Sequence, residues 1–175
     1  QGIAYVAQNR KTIGTCGQSS IWENIFMGFP LQKEFRNQIL LHKDKVEEKC
    51  QQIIQYYSVK ASDLNAPIST LSGGNIQKLL VGREFTQGKK LLIIEDPTRG
   101  IDMGAVAFIW KRILDLAASG VAILLISHEL NELRELSDRI LVLCNGSLLE
   151  PEDSKELKEE ELGLWMLGGN KNEER

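Results

Sequence analysis

Two carboxylates, Glu95 and Asp96, close an apolar run at residues 91–94, and a Ser-Gly-Gly turn at Ser72, Gly73 and Gly74 stands upstream of them. The stretch 71–102 reads LSGGNIQKLLVGREFTQGKKLLIIEDPTRGID. A hydroxyl and bare backbone N–H groups at the start of a helix favour a phosphate. Acids at the carboxyl end of a parallel strand stand where ligands of α/β folds bind. Taken singly, a Ser-Gly-Gly run is usually a loop, and an acid pair after an apolar run is usually a solvated strand end. In this order and spacing the two reinforce each other.

The elements that must position these groups can be read from periodicity. Residues 3–7 are apolar and predict a strand, with Gln8 at its end. Residues 11–20 are rich in Gly, Ser and Thr and predict a loop. Ser20, with Glu23 three residues on, predicts a capping box opening a helix over 21–28. Ile21, Trp22, Ile25 and Phe26 give that helix an apolar face, which reads as core. Residues 44–57 predict a second helix, with Val46, Ile53, Ile54 and Tyr57 inward and Lys45, Glu47, Glu48 and Gln51 solvated. A loop holding Pro67 leads to Leu71.

The uniformly apolar run 91–94 predicts a strand covered on both faces. A helix over 104–118 follows, with Val106, Ile109, Trp110, Ile113, Leu114 and Leu116 inward and Ser119-Gly120 as its stop. Residues 121–126 predict a further buried strand, closed by Ser127 and His128, with a short helix after it. Asn145-Gly146 between two apolar runs predicts a hairpin, expected to add an antiparallel edge to the sheet. Beyond Glu150 the chain turns acidic and helical, with Leu162, Leu164, Trp165 and Leu167 as an apolar cluster, and residues 168–175 are expected to fray. Strands alternating with helices predict an α/β fold on a parallel sheet.

At 175 residues the chain fits one domain with a real core. Its 42% hydrophobic and 26% charged residues are ordinary for a soluble protein. A net charge of -3 argues against a nucleic-acid partner, which needs a basic stripe. No apolar run approaches the ~18–20 residues of a membrane span. Cys16, Cys50 and Cys144 are odd in number and unpatterned, and read as reduced thiols. The chain starts at Gln1 without an initiator Met or a visible signal peptide, and is expected to be a piece of a longer protein.

The stretch 71–102 resembles the signature motif, Walker B motif and D-loop of ATP-binding cassette (ABC) ATPases. LSGGNIQK and PTRGID are most similar to the second cassette of the fused two-cassette ATP-binding proteins of simple-sugar and nucleoside importers. The resemblance extends from about Ile3 to about Gly146. It implies a partial P-loop NTPase core with a parallel sheet over residues 1–10 and 86–150. A mainly helical signature subdomain would occupy 20–85, followed by a C-terminal β-hairpin and then a helix and tail over 151–175.

The same resemblance implies ATP and Mg2+ as cofactors. Ser72, Gly73 and Gly74 would clamp the γ-phosphate bound by a partner cassette. Glu95 falls at the position of the magnesium-holding Walker B aspartate, and Asp96 at that of the glutamate that orients the attacking water. Gln8 would open the Q-loop and touch the magnesium and the water. Asp102 would be the D-loop residue at the dimer interface, and His128 the switch histidine that reaches the γ-phosphate. The implied partners are a second cassette in the same chain or a dimer, transmembrane permease subunits, and indirectly a solute-binding protein, and the implied place of this chain is the cytoplasmic face of the cell membrane.

Three departures stand out. No G-x-x-x-x-G-K-[ST] occurs, so the P-loop is expected upstream of Gln1 and the chain alone is expected to be inactive. The family order is Asp then Glu, whereas this chain has Glu95 then Asp96. A carboxylate shorter by one methylene loses roughly 1 Å of reach, which can cost about a hundredfold in rate, so an impaired site is expected here. Related second cassettes often carry Glu-Asp where this chain has Gln8-Asn9. Two other readings stay open: a soluble ABC ATPase of repair or translation, and a non-catalytic half that only completes a partner's site.

Overall fold

The computed structural model describes residues 2–29, 34–35, 40–150 and 159–168. It divides into two compact units, Gln1–Ile126 and Ser127–Arg175. The first holds a parallel three-stranded sheet in the order β1 (Ile3–Val6), β2 (Leu91–Glu95), β3 (Ala122–Ile126). Register sets Tyr5 beside Ile93 and Ile93 beside Leu124. Parallel neighbours require long crossovers. The one from β2 to β3 is helix α4 (Met103–Ala118), and the one from β1 to β2 carries α1 (Ile21–Phe26), α2 (Lys43–Tyr56) and α3 (Gly73–Phe85).

Helix α3 is the hub of this unit. Ile76, Leu79, Leu80, Val81 and Phe85 are all buried, so the helix has almost no solvent face. It packs on β1, α1, α2 and α4. Each such side chain contributes about 1.5–3 kcal/mol by leaving water. Gly82 lets α2 approach closely, since a Cβ there would stand 2.8 Å from Ile53 and from Tyr57. The buried Asn24 of α1 anchors the preceding loop. Its Nδ2 donates to the carbonyls of Cys16, Ser19 and Ser20, and its Oδ1 accepts from the Cys16 N–H at 2.8 Å. Arg83 of α3 in turn donates to the Asn24 carbonyl at 3.1 Å.

Local signals in the sequence explain most element ends. Ser20 and Glu23 form a complete capping box on α1. Ser119 caps the C-terminus of α4, and Gly120 follows with φ +90. Asn145 and Gly146, both at positive φ, turn the hairpin of β4 (Val142–Cys144) and β5 (Ser147–Leu149). In this second unit Ile140, Val142 and Leu162 form a small core, joined by Leu130 and Leu133 of α5 (Leu130–Leu136), Leu149, and Trp165 of α6 (Glu159–Met166).

Four expectations need correction. Residues Arg10–Gly14 form a π-helical turn where a loop was expected. Asn9 caps it by accepting from the Thr12 N–H, and Gly14 lies against Leu80 of α3. The sheet is covered on one face, not two. Ala4, Val6, Leu92 and Ile94 are buried, while Tyr5, Leu124 and Ile126 on the other face are more than 40% exposed. The hairpin forms its own two-stranded sheet instead of extending the parallel one. Leu114 of α4, and Leu164 and Leu167 near α6, are exposed. The expected fraying at 169–175 and the start of the C-terminal helix before Glu159 lie outside the described residues.

Candidate functional site

Because β1 and β2 run parallel and in register, the end of one delivers side chains to the end of the other. Tyr5 and Glu95 project to the same face, and the Tyr5 hydroxyl donates to Glu95 Oε2 at 2.8 Å. That bond to a carboxylate is the main reason the phenol is held above its usual pKa. The Gln8 N–H reaches the same oxygen at 3.4 Å. The Gln8 amide nitrogen donates to Asp96 Oδ2 at 2.6 Å. Gln8, Glu95 and Asp96, expected to act together, therefore stand together. Tyr5 belongs with them and was missed. Its signal was strand parity alone: it shares the Glu95 face.

Asp96 is 6% exposed and sits at φ +42, in the left-handed region. Its N–H donates to the Ile126 carbonyl at 2.8 Å, so the turn after β2 is also tied to β3. Arg99 Nη1 stands 3.9 Å from Asp96 Oδ2. Aspartate tolerates this backbone better than most residues, because its short polar side chain bonds locally. Strain of this kind gathers at functional turns.

The second group lies at two helix starts. Ser72 caps α3, its Oγ accepting from the Asn75 N–H at 3.4 Å and from Asn75 Nδ2 at 2.9 Å. Asn75 Oδ1 accepts from the Lys60 N–H, which holds the loop before the signature against the helix. Asp102 caps α4 by accepting from the Ala105 N–H at 3.0 Å. That bond is the first cause of an Asp102 carboxyl held below its usual range. A Cβ on Gly74 would stand 3.4 Å from Asp102 Oδ2, so the two caps are neighbours. His128 is exposed and is described with the second unit.

The donors present fit a magnesium ion held together with a nucleotide. Glu95, Asp96 and Gln8 offer oxygen atoms, which a hard cation takes. Among the described residues no group of three or more His, Cys, Asp or Glu side chains could hold an ion unaided. Magnesium is commonly held by one or two carboxylates plus substrate phosphates. Among the described residues no helix is long and apolar enough to cross a membrane.

No protein-family model matches the chain. Individual proteins do. Over 172 residues, 98% of its length, the chain is 37% identical to the guanosine import ATP-binding protein NupO of Bacillus subtilis. It is 37% identical over 168 residues to the xylose import ATP-binding protein XylG of Geobacillus kaustophilus, with 96% of the chain covered. This chain is a homologue of the ATP-binding proteins of sugar and nucleoside importers. It spans about a third of their length, 34% of the first and 33% of the second.

Solved structures agree on the fold. An ATP-binding cassette captured as a dimer in a post-hydrolysis state, bound to ADP and Pi, matches with a TM-score of 0.69 at 18% identity, over 86% of this chain and 63% of that one. An inward-facing, putative metal-chelate type ABC transporter matches at 0.71 and 20% identity, over 96% of this chain and 65% of that one. The cassette fold is thus the expected P-loop NTPase type, with a parallel sheet and flanking helices.

Proposed function

We propose that this cassette works in the ATP-binding subunit of an ABC importer, coupling ATP binding and hydrolysis to uptake of a simple sugar or nucleoside. The carrying observation is the convergence of Gln8 and Asp96 at 2.6 Å, beside Glu95, in a chain whose relatives are import ATP-binding proteins. Glu95 and Gln8 would hold magnesium with the nucleotide, and the ion would neutralise phosphate charge. Asp96 would orient the attacking water, with Gln8 fixing the carboxylate that does so. His128 would donate to the γ-phosphate. Ser72, Gly73 and Gly74 would present a capped helix start to ATP bound by a second cassette, with Asp102 beside them at the interface. Permease subunits and, indirectly, a solute-binding protein complete the assembly, with this chain at the cytoplasmic face of the membrane.

The Glu95-Asp96 order favours an asymmetric version of this reading. Glu95 is engaged by Tyr5, and the short Asp96 is drawn to Gln8. The shorter reach of Asp96 favours slow turnover at this cassette's own site, while its signature turn serves the opposite one. The test is ATPase rate and solute uptake by the full-length polypeptide assembled with its permease. Ser72→Arg should abolish most of both, because a bulky cation would fill the partner's phosphate pocket, and Asp96→Asn should cost little. Full activity in Ser72→Arg would overturn the importer-cassette reading. Equal damage from the two variants would overturn only the asymmetry. Uptake assays with nucleosides, pentoses and glucose identify the solute.

A further inference from the structure

Arg10 makes contacts that neither the motif nor the family relationship explains. It opens the π-helical turn two residues after Gln8. Its backbone is fixed, because the Thr15 hydroxyl donates to the Arg10 carbonyl at 2.7 Å and Asn9 caps the turn. Its half-buried side chain crosses to the loop after β2. There Nη1 donates to the Arg99 carbonyl at 2.7 Å and Nη2 to the Gly100 carbonyl at 3.3 Å. Gly100, at φ +65, takes a backbone that favours glycine and helps present the two successive carbonyls to one guanidinium. The same guanidinium lies under the signature turn. A Cβ on Gly73 would stand 2.9 Å from Arg10 Nη2, and one on Gly100 would stand 3.5 Å from it.

One planar cation therefore fills the space between the Gly73 turn and the 99–102 loop. A rigid fork of donors suits two adjacent carbonyls, and glycine at position 73 leaves it room. Asp102 and Gly74 close the other side of the same junction.

We propose that Arg10 is a positioning residue that fixes the spacing between the signature turn and the D-loop. The run from Gln8 to Arg10 then joins this cassette's own carboxylates to the two elements that face the opposite site. The functional half of this statement rests on the importer-cassette reading above. The tether itself does not.

Two measurements on the full-length polypeptide assembled with its permease separate the two. Amide hydrogen exchange reports local opening. Arg10→Ala should speed exchange about tenfold or more at residues 72–75 and at 99–102, and leave residues 159–166 unchanged. Arg10→Lys should give an intermediate result, since the ammonium keeps the charge but lacks the planar, pre-organised pair of nitrogens. In ATPase assays Arg10→Ala should lower kcat about tenfold, with KM for ATP changed by less than about twofold, because Arg10 sets geometry and not ground-state nucleotide binding.

A double-mutant cycle supplies the readout that loss of structure would not give. Gly73→Ala should speed exchange at residues 99–102 when Arg10 is present and add little when Arg10 is already alanine, because the new methyl acts there through the guanidinium it displaces. Additive increases in that exchange, or unchanged exchange at 72–75 in Arg10→Ala, would overturn the tether. Faster exchange with unchanged kcat would overturn its functional role. Absence of ATPase activity in the unsubstituted assembly would sink the importer reading while the exchange result still decides on the tether.

Discussion

Replacing Asp96 with glutamate lengthens the acid by one methylene, and the structure predicts that the change destabilises the protein. Asp96 holds φ +42 at a turn fixed by its N–H bond to the Ile126 carbonyl. An ordinary side chain in the left-handed region costs roughly 1–2 kcal/mol, from which aspartate is partly spared. Glutamate would bear about 1 kcal/mol of that cost. The extra methylene must also enter a site that is 6% exposed, displacing the carboxylate from Gln8. A hydrogen bond to a charged group contributes about 1.5–3 kcal/mol. Gln8 itself is exposed and regains water, which reduces the loss to about 1 kcal/mol. The sum is about 2 kcal/mol, or about thirtyfold in the unfolding equilibrium.

Asparagine keeps both the backbone tolerance and an acceptor oxygen, so Asp96→Asn should lose about 0.5–1 kcal/mol. The assay is urea unfolding followed by tryptophan fluorescence in a Trp165→Phe background. Trp22 and Trp110 then report on the first unit alone. A glutamate variant within about 0.5 kcal/mol of the parent, or an asparagine variant as unstable as the glutamate one, would refute the reasoning.

Two further outcomes follow from the environments of single groups. Cys16 is exposed, with its thiol held below the usual value chiefly by a hydrogen bond with Ser19, whereas burial pushes the Cys50 thiol up to about 12. Iodoacetamide at neutral pH should therefore alkylate Cys16 about tenfold or more faster than Cys50, read by peptide mass spectrometry, and comparable rates would contradict these assignments. The Glu23 carboxyl is held below 4.5 by the Ser20 hydroxyl, so the unfolded chain binds this proton more readily than the native one. The capping box thus contributes stability that is present above that unfolded value and lost as pH falls through the lower native one. Glu23→Gln should flatten this part of the acid limb in urea midpoints taken from about pH 6 to about pH 3, and an unchanged slope would count against it.

What could be read from the sequence was local chemistry. Ser20 with Glu23, Ser72 before two glycines and the Asn145-Gly146 turn each carry their signal within four residues, and each is found in place. The meeting of Gln8 with Glu95 and Asp96 was implied by the family resemblance, and the parallel pairing of β1 with β2 accounts for it. What covers the sheet was not legible. Leu124 and Ile126 are as apolar as Ile123 and Leu125, so the pattern of β3 cannot tell an open face from a packed one. The π-helical turn was missed because its residues suit a loop. It forms through the Asn9 cap and the close approach of Gly14 to Leu80, both visible only in three dimensions. Tyr5 and Arg10 were missed for a related reason, since each acts on a partner some ninety residues away.

That long-range pairing says something about how the cassette is wired. The helical insertion leaves the sheet just after Gln8 and returns as α3, which packs back on β1. Its first turn and its last helix are therefore neighbours, joined by Gly14 on Leu80 and by Arg10 under Gly73. Helix α1 is fastened to the loop that follows this turn and to α3. Asn24 bonds the Cys16–Ser20 loop on one side, and its carbonyl accepts from Arg83 of α3 on the other. A displacement of α1 would have to strain buried polar bonds at both places, each costly to leave unmet. The path from α1 to the carboxylates at Glu95 and Asp96 then needs only the short run back to Gln8. Helix α1 and the carboxylates at the end of β2 are thus linked through packed, hydrogen-bonded contacts.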